Sequence, residues 1–128
     1  MGHVRQEVEI IGDKPVRVRM LVDTGATFSI IPKALAESIG VKPRGRPYTL
    51  TLADGRRVKC ASGIVDYRIG KREAPGVILI GDVAEPLLGL ETLEALGLAV
   101  DPRKERLTPT RGYTVRVPFP GYLTSTRG

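Results

Sequence analysis

The sequence predicts an all-β domain with two short helices. Val16, Val18, Met20 and Val22 alternate with charged residues, Asp-Gly and Gly-Asp pairs separate strand-like runs, and helical spacing is confined to two short segments. The 128 residues make one domain's worth of chain, long enough to bury a core without staples and too short for a two-domain enzyme.

Taken in order, Val8–Ile11 and Val16–Val22 form a hairpin around Gly12-Asp13-Lys14-Pro15, with Arg17 and Arg19 on the face opposite the valines. Asp23-Thr24-Gly25-Ala26 closes the second arm, and the β-branched and aromatic run Thr27–Ile31 restarts a strand. Pro32 near its start and Gly40 just past its end bracket a short helix. Val41–Pro47 reads as a loop. Tyr48–Leu52 and Arg57–Cys60 are the arms of a projecting hairpin tipped by Ala53-Asp54-Gly55-Arg56. Gly63 is expected to mark a bulge before Ile64–Ile69, and Gly70–Gly76 a turn. Val77–Ile80, apolar without alternation, is a strand buried on both faces. A second helix, Leu90–Leu96, ends at Gly97, and Ala99–Asp101 with Arg106–Thr108 forms a last hairpin. The division expected is a domain over 1–108 and a C-terminal strand or tail over 109–128, where Tyr113, Val115, Val117 and Phe119 alternate with polar residues or proline.

Composition removes several classes of function. With 41% hydrophobic and 27% charged residues the chain is not of disordered type. Cys60 is the single cysteine and His3 the single histidine, so zinc and every mechanism with an internal histidine base are poor candidates. Cys60 reads as a small buried hydrophobe. The net charge of +6 comes from Lys and Arg spread over nearly every segment, and 5% aromatic residues offer little for base stacking, so no nucleic-acid partner is expected. Arg56 and Arg57 read as solvated charges. Met1–Met20 lacks a signal-peptide apolar core and no stretch reaches the ~18 apolar residues of a membrane span, so a cytoplasmic protein without a membrane partner is expected.

The informative stretch is Leu21-Val22-Asp23-Thr24-Gly25-Ala26-Thr27, an apolar strand that delivers a carboxylate into a tight turn. Asp, Thr and Gly are ordinary turn formers, and the tripeptide alone would be just that. However, a strand that delivers Asp into a largely buried position, as expected here, faces several kcal/mol of desolvation (about 2–7 kcal/mol even for a neutral polar group) unless hydrogen bonds or a shared proton relieve it. Gly25 lets backbone N–H groups approach the carboxylate and Thr24 supplies a hydroxyl. About 30 residues on comes the hairpin tip Ala53-Asp54-Gly55-Arg56; then the run Val77–Ile80, then Leu87-Leu88-Gly89, then the helix Leu90–Leu96. In that order, over about Val8–Leu107, the chain resembles the retroviral-type (retropepsin-like) single-domain aspartic proteases, and its Leu-Leu-Gly-Leu form is similar to that of the prokaryotic and ubiquitin-associated cellular members.

The resemblance implies an acid-protease half-barrel active as a homodimer, with Asp23 the catalytic carboxylate, Thr24, Gly25 and Ala26 its supporting loop, Ala53, Asp54, Gly55 and Arg56 the tip of a substrate-covering flap, and Leu87, Leu88 and Gly89 the hydrophobic-glycine element. Such enzymes use two carboxylates sharing a proton, one as base toward water and one as acid toward the scissile carbonyl. Asp13, Asp54, Asp66, Asp82 and Asp101 all lack the Thr/Ser-Gly sequel, so each of two chains must donate its Asp23. Water is the nucleophile, no metal or cofactor is needed, and the partners are a second copy and an extended peptide or unfolded protein. Val22, Ile78, Ile80 and Leu88 are candidates for apolar substrate pockets. Ala26 offers no hydroxyl to stabilise the charged carboxylate, which implies activity at mildly acidic pH. The acid after the catalytic turn and the Arg opening the late helix, an ion pair in retroviral members, are absent: those places read Thr27-Phe28-Ser29 and Leu90-Glu91-Thr92. Leu98–Phe119 is therefore the better interface candidate than the N-terminus. The rival reading is a binding module of the same fold with little or no turnover, against which the intact Asp23-Thr24-Gly25 argues.

Overall fold

Strands β1 (Arg5–Ile11) and β2 (Pro15–Val22) pair in unbroken antiparallel register from Arg5 opposite Leu21 to Ile11 opposite Pro15. Val8, Ile10 and Met20 are fully buried, while Glu7 faces Arg19 and Glu9 faces Arg17, opposite charges directly across the strands. The structure is a computed structural model that describes residues 3–52 and 54–110; Ala53 and most of the expected tail, 111–128, lie outside the described residues.

β3 is short (Ser29–Ile31), so Thr27 and Phe28 belong to the turn rather than to a strand. Helix α1 (Lys33–Ser38) follows, with Pro32 at its N-cap and Gly40 at φ +73° just beyond its end. β4 (Arg44–Thr51) begins inside the stretch read as a loop. Gly45 and Pro47 there interrupt the pairing register between Arg44 and Tyr48, but β4 is an edge strand and needs no ladder on its outer side.

β5 (Arg57–Ile69) is continuous through Gly63, and no bulge forms. Glycine is required there by a neighbour: a Cβ would stand 2.6 Å from Val41 Cγ1. β6 (Arg72–Ile80) begins after a two-residue link, Gly70-Lys71, so the turn expected over Gly70–Gly76 is mostly strand. Pro75 is tolerated because β3 joins β6 only from Ile78 onward, which leaves the side of β6 at Pro75 without a pairing partner among the described residues.

β7 (Leu87–Leu88) inserts between β2, to which it runs parallel, and β3, to which it is antiparallel. The sheet order is β1-β2-β7-β3-β6-β5-β4, and β1 pairs back onto β5 through Glu9–Ile11, so the sheet curls closed. The closed sheet sorts its apolar residues onto two faces, as the unalternating run Val77–Ile80 requires. Ile31, Ile78 and Ile80 join Val8, Ile10, Met20, Tyr67 and Leu88 in one cluster, while Ile30 and Leu79 join Val58, Cys60 and Val83 in another. Helix α2 (Leu90–Leu96) packs Leu93 and Leu96 into the first cluster and ends on Gly97 at φ +69°. From the start of β6, Arg72 donates to the Leu96 carbonyl at 2.9 Å and to that of Gly97 at 3.3 Å, closing the helix's open end.

The last hairpin, β8 (Leu98–Asp101) and β9 (Arg106–Pro109), is a separate two-stranded sheet in which, among the described residues, β8 pairs only with β9. Thr110 N–H still bonds the Gly97 carbonyl at 2.8 Å. No helix among the described residues is long and apolar enough to cross a membrane.

Candidate active site

Asp23 stands where β2 ends, and its position is set by neighbouring strands on both sides. Val22 N–H donates to the Val4 carbonyl and Asp23 N–H to that of Leu88, at 2.8 and 2.9 Å. The chain then folds back on itself: Ala26 N–H bonds the Asp23 carbonyl at 3.1 Å and Gly25 N–H donates to Asp23 Oδ1 at 3.0 Å. The close approach anticipated for Gly25 is thus present, since a Cβ there would lie 3.3 Å from the same oxygen. In the single protomer Asp23 is half-buried and Thr24 and Gly25 are exposed, so the strand delivers its carboxylate to a surface rather than to the interior.

Leu87, Leu88 and Gly89 lie against this turn. Leu87 and Leu88 pair with Leu21 and Val22, and Gly89 allows an approach that no other residue permits: a Cβ would fall 2.5 Å from the Phe28 carbonyl carbon. Leu90 and Glu91 donate their N–H groups to the carbonyls of Ala26 and Thr27, both at 2.8 Å.

Above the turn lies the β4–β5 hairpin. Leu50 pairs with Val58 and Tyr48 with Cys60, and the underside Leu50, Leu52, Val58 and Cys60 packs on the second cluster with Phe28. The Phe28 and Tyr48 rings are 6.4 Å apart. At the tip, Leu52 N–H bonds Arg56 O at 2.8 Å, Gly55 takes φ +86°, and Arg56 pairs with Asp54 at 2.8 Å. Bonds from the Arg56 N–H and guanidinium hold the Asp54 carboxyl below its ordinary range. Cys60 is buried, and burial pushes its thiol up.

Between turn and hairpin is a cleft of about 230 Å3 lined by Asp23, Gly25, Ala26, Thr27, Leu50, Thr51 and Leu52. The pocket candidates fare differently: Ile78, Ile80 and Leu88 sit in the first core cluster and Val22 packs at its margin, because their faces of the strands point inward, and Leu50 and Leu52 supply the apolar wall. Thr24 faces another side, an apolar groove of about 470 Å3 shared with Leu90, Leu93, Leu98 and Val100. Leu90 is 40% exposed there. A polar notch bordered by Asp13, Lys42, Arg44 and Asp66 contains none of these residues. Among the described residues no group of three or more His, Cys, Asp or Glu is placed to hold a metal.

Missed by sequence reasoning are Ser29 and Thr92. Both are buried, their hydroxyls are 2.7 Å apart, and Ser29 Oγ also accepts the Gly89 N–H at 2.9 Å. They occupy the two neighbourhoods where the retroviral ion pair is missing. The available signal was a hydroxyl within an apolar stripe: Thr92 shares the buried face of α2 with Leu93 and Leu96.

Residues 7–95 match the family described as "gag-polyprotein putative aspartyl protease". The chain belongs to this aspartyl protease family. Among solved structures it is similar to the EIAV protease complexed with the inhibitor HBY-793, at 27% identity and a TM-score of 0.60, over 78% of this chain and 93% of that one. No curated protein matches the chain. Family and fold together make the domain retropepsin-like and all-β, and point to an aspartic protease.

Proposed function

We propose that the protein is an aspartic endopeptidase whose active site forms between two copies of the chain, each giving Asp23. The observation that carries the reading is the composition of the cleft: its lining has a well-positioned carboxylate, Asp23, and no second one among the described residues. Hydrolysis by a shared-proton pair needs two. The exposed Thr24, the half-exposed Leu90 and the edge of β8 that is unpaired among the described residues border one face, which supports placing the second copy there.

In the assembled site one Asp23 takes a proton from water as its oxygen attacks the peptide carbonyl carbon. The other, protonated, gives its proton to the carbonyl oxygen, and the resulting diol collapses with proton transfer to the leaving nitrogen. The β4–β5 hairpin acts as the flap, with Asp54, Gly55 and Arg56 at its tip and Leu50 and Leu52 against an extended substrate held by strand-like bonds. The domain over 1–108 would act on unfolded or extended chains in the cytoplasm, with 109–128 as its C-terminal strand or tail.

Cleavage of an unfolded protein mixture between pH 3 and 7, with new termini read by mass spectrometry, tests this. Activity is expected in mildly acid solution and is abolished by Asp23→Asn. A dimer that cuts nothing, or cutting that survives Asp23→Asn, would overturn the endopeptidase in favour of a binding module or a different nucleophile.

A further inference from the structure

We propose that Ser29 and Thr92 are positioning residues for the catalytic turn, an uncharged joint that fixes Asp23 by tying the turn to the first turn of α2. The inference rests on the reading of Asp23 as the reacting carboxylate.

A helix start leaves its first N–H groups without partners, and usually a Ser, Thr, Asp or Asn at the N-cap supplies one. The N-cap of α2 is Gly89, which has no side chain to offer. The partners come instead from the segment that follows Asp23: Ser29 Oγ accepts from Gly89, the Ala26 carbonyl from Leu90, and the Thr27 carbonyl from Glu91. The catalytic turn therefore caps the helix, and the helix in return pins the carbonyls of the turn. Ala26 passes the constraint on, because its own N–H bonds the Asp23 carbonyl.

Of these contacts Ser29 makes the only one through a side chain, and its hydroxyl is oriented by that of Thr92 at 2.7 Å, with the Tyr67 side chain also in hydrogen-bonding reach of both. Ser29 is 0% and Thr92 5% exposed, so no water competes for the bond between them. Tyr67, 1% exposed, closes the floor beside them and is itself fixed by donating to the Val77 carbonyl at 2.7 Å. A Ser29 hydroxyl freed to rotate would release the Gly89 N–H and loosen the first turn of α2 against Ala26. Misplacing a reacting group by about 1 Å costs on the order of 100-fold in rate.

The test uses the full-length protein and three variants. Thr92→Val keeps the volume and removes the hydroxyl, Thr92→Ser keeps the hydroxyl, and Ser29→Ala removes the other member of the pair. Expected for Thr92→Val and Ser29→Ala is a loss of about tenfold or more in kcat with KM within about twofold, and for Thr92→Ser a kcat near that of the parent. Amide hydrogen exchange at Gly89, Leu90 and Glu91, which needs no substrate, should accelerate in the first two and not in the third. Parent-like kcat and exchange in folded Thr92→Val, or equal losses in Thr92→Val and Thr92→Ser, would overturn the joint. A parent that cleaves nothing while exchange responds as stated would remove the endopeptidase reading and leave the joint standing. If Thr92→Val does not fold, Ser29→Ala decides by the same two measurements.

Discussion

The floor and the roof of the cleft are built on opposite principles. In the floor, the turn and the residues just after it, Asp23–Ser29, are held by backbone bonds with Leu88, Leu90 and Glu91 and by the Ser29 hydroxyl on Gly89, partners that lie 60 or more residues further along the chain. The roof is a local hairpin. Its outer face, Thr49, Thr51, Arg57 and Lys59, is exposed, one underside packs on the core, and its tip is fastened by an exposed Asp54–Arg56 pair. Several bonds to a packed strand and helix keep a group in place together, whereas a single exposed ion pair contributes little and lets go easily. Asp23 is thus on the part that is held from several sides, and the apolar wall of the cleft, Leu50 and Leu52, is on the part fastened only locally.

The sharpest way to break the comparison is to change one glycine in each region. Gly89→Ala drives a methyl into the Phe28 carbonyl, backbone against backbone, and is expected to cost about 3 kcal/mol, read as a lowered urea midpoint. An unchanged midpoint would mean that the floor can relax. Tyr67→Phe comes next: losing the hydroxyl and leaving the Val77 carbonyl short of a donor should cost about 1.5 kcal/mol in the same assay. Gly55→Ala meets no atom within 4 Å and suffers only from φ +86°, so about 1 kcal/mol is expected, with the effect confined to the hairpin. Equal losses at Gly55 and Gly89 would erase the distinction between roof and floor.

The smallest effect is that of Arg56→Ala, which should leave the urea midpoint unmoved while altering cleavage preference. It also has a pH signature. Because the native Asp54 carboxyl is held below its ordinary value of 3.8, its contribution is complete above that value and disappears as pH falls through the lower native one. An NMR titration of the Asp54 carboxyl carbon should therefore give a midpoint below 3.8 in the parent and a higher one in Arg56→Ala. Coincident curves would show that the tip pair does not form in solution.

The roof was the more legible half from sequence. An Asp-Gly pair between alternating arms is a local signal, and so were the first hairpin and the glycine after Leu96. Elements whose partners are distant were harder. Arg44–Pro47 and Arg72–Gly76 carry the residues of loops, and they are strand because β5 is long enough to pair with both. Gly63 resembled a bulge, but its reason is Val41. Around Asp23 the motif located the turn, while the joint between Ser29 and Thr92 was invisible, since two hydroxyls 63 positions apart announce nothing until β3 and α2 are side by side. Sequence did register the negative half of that fact, the missing ion pair at the same two places.

The distance along the chain between Asp23 and the residues that hold it has a bearing on biosynthesis. A ribosome adding about 5–20 residues per second exposes the motif several seconds before it reaches Gly89–Thr92. Throughout that interval the nascent chain carries the Asp23 turn without the strand and helix that hold it, so the turn reaches its final shape only when most of the described domain has been made.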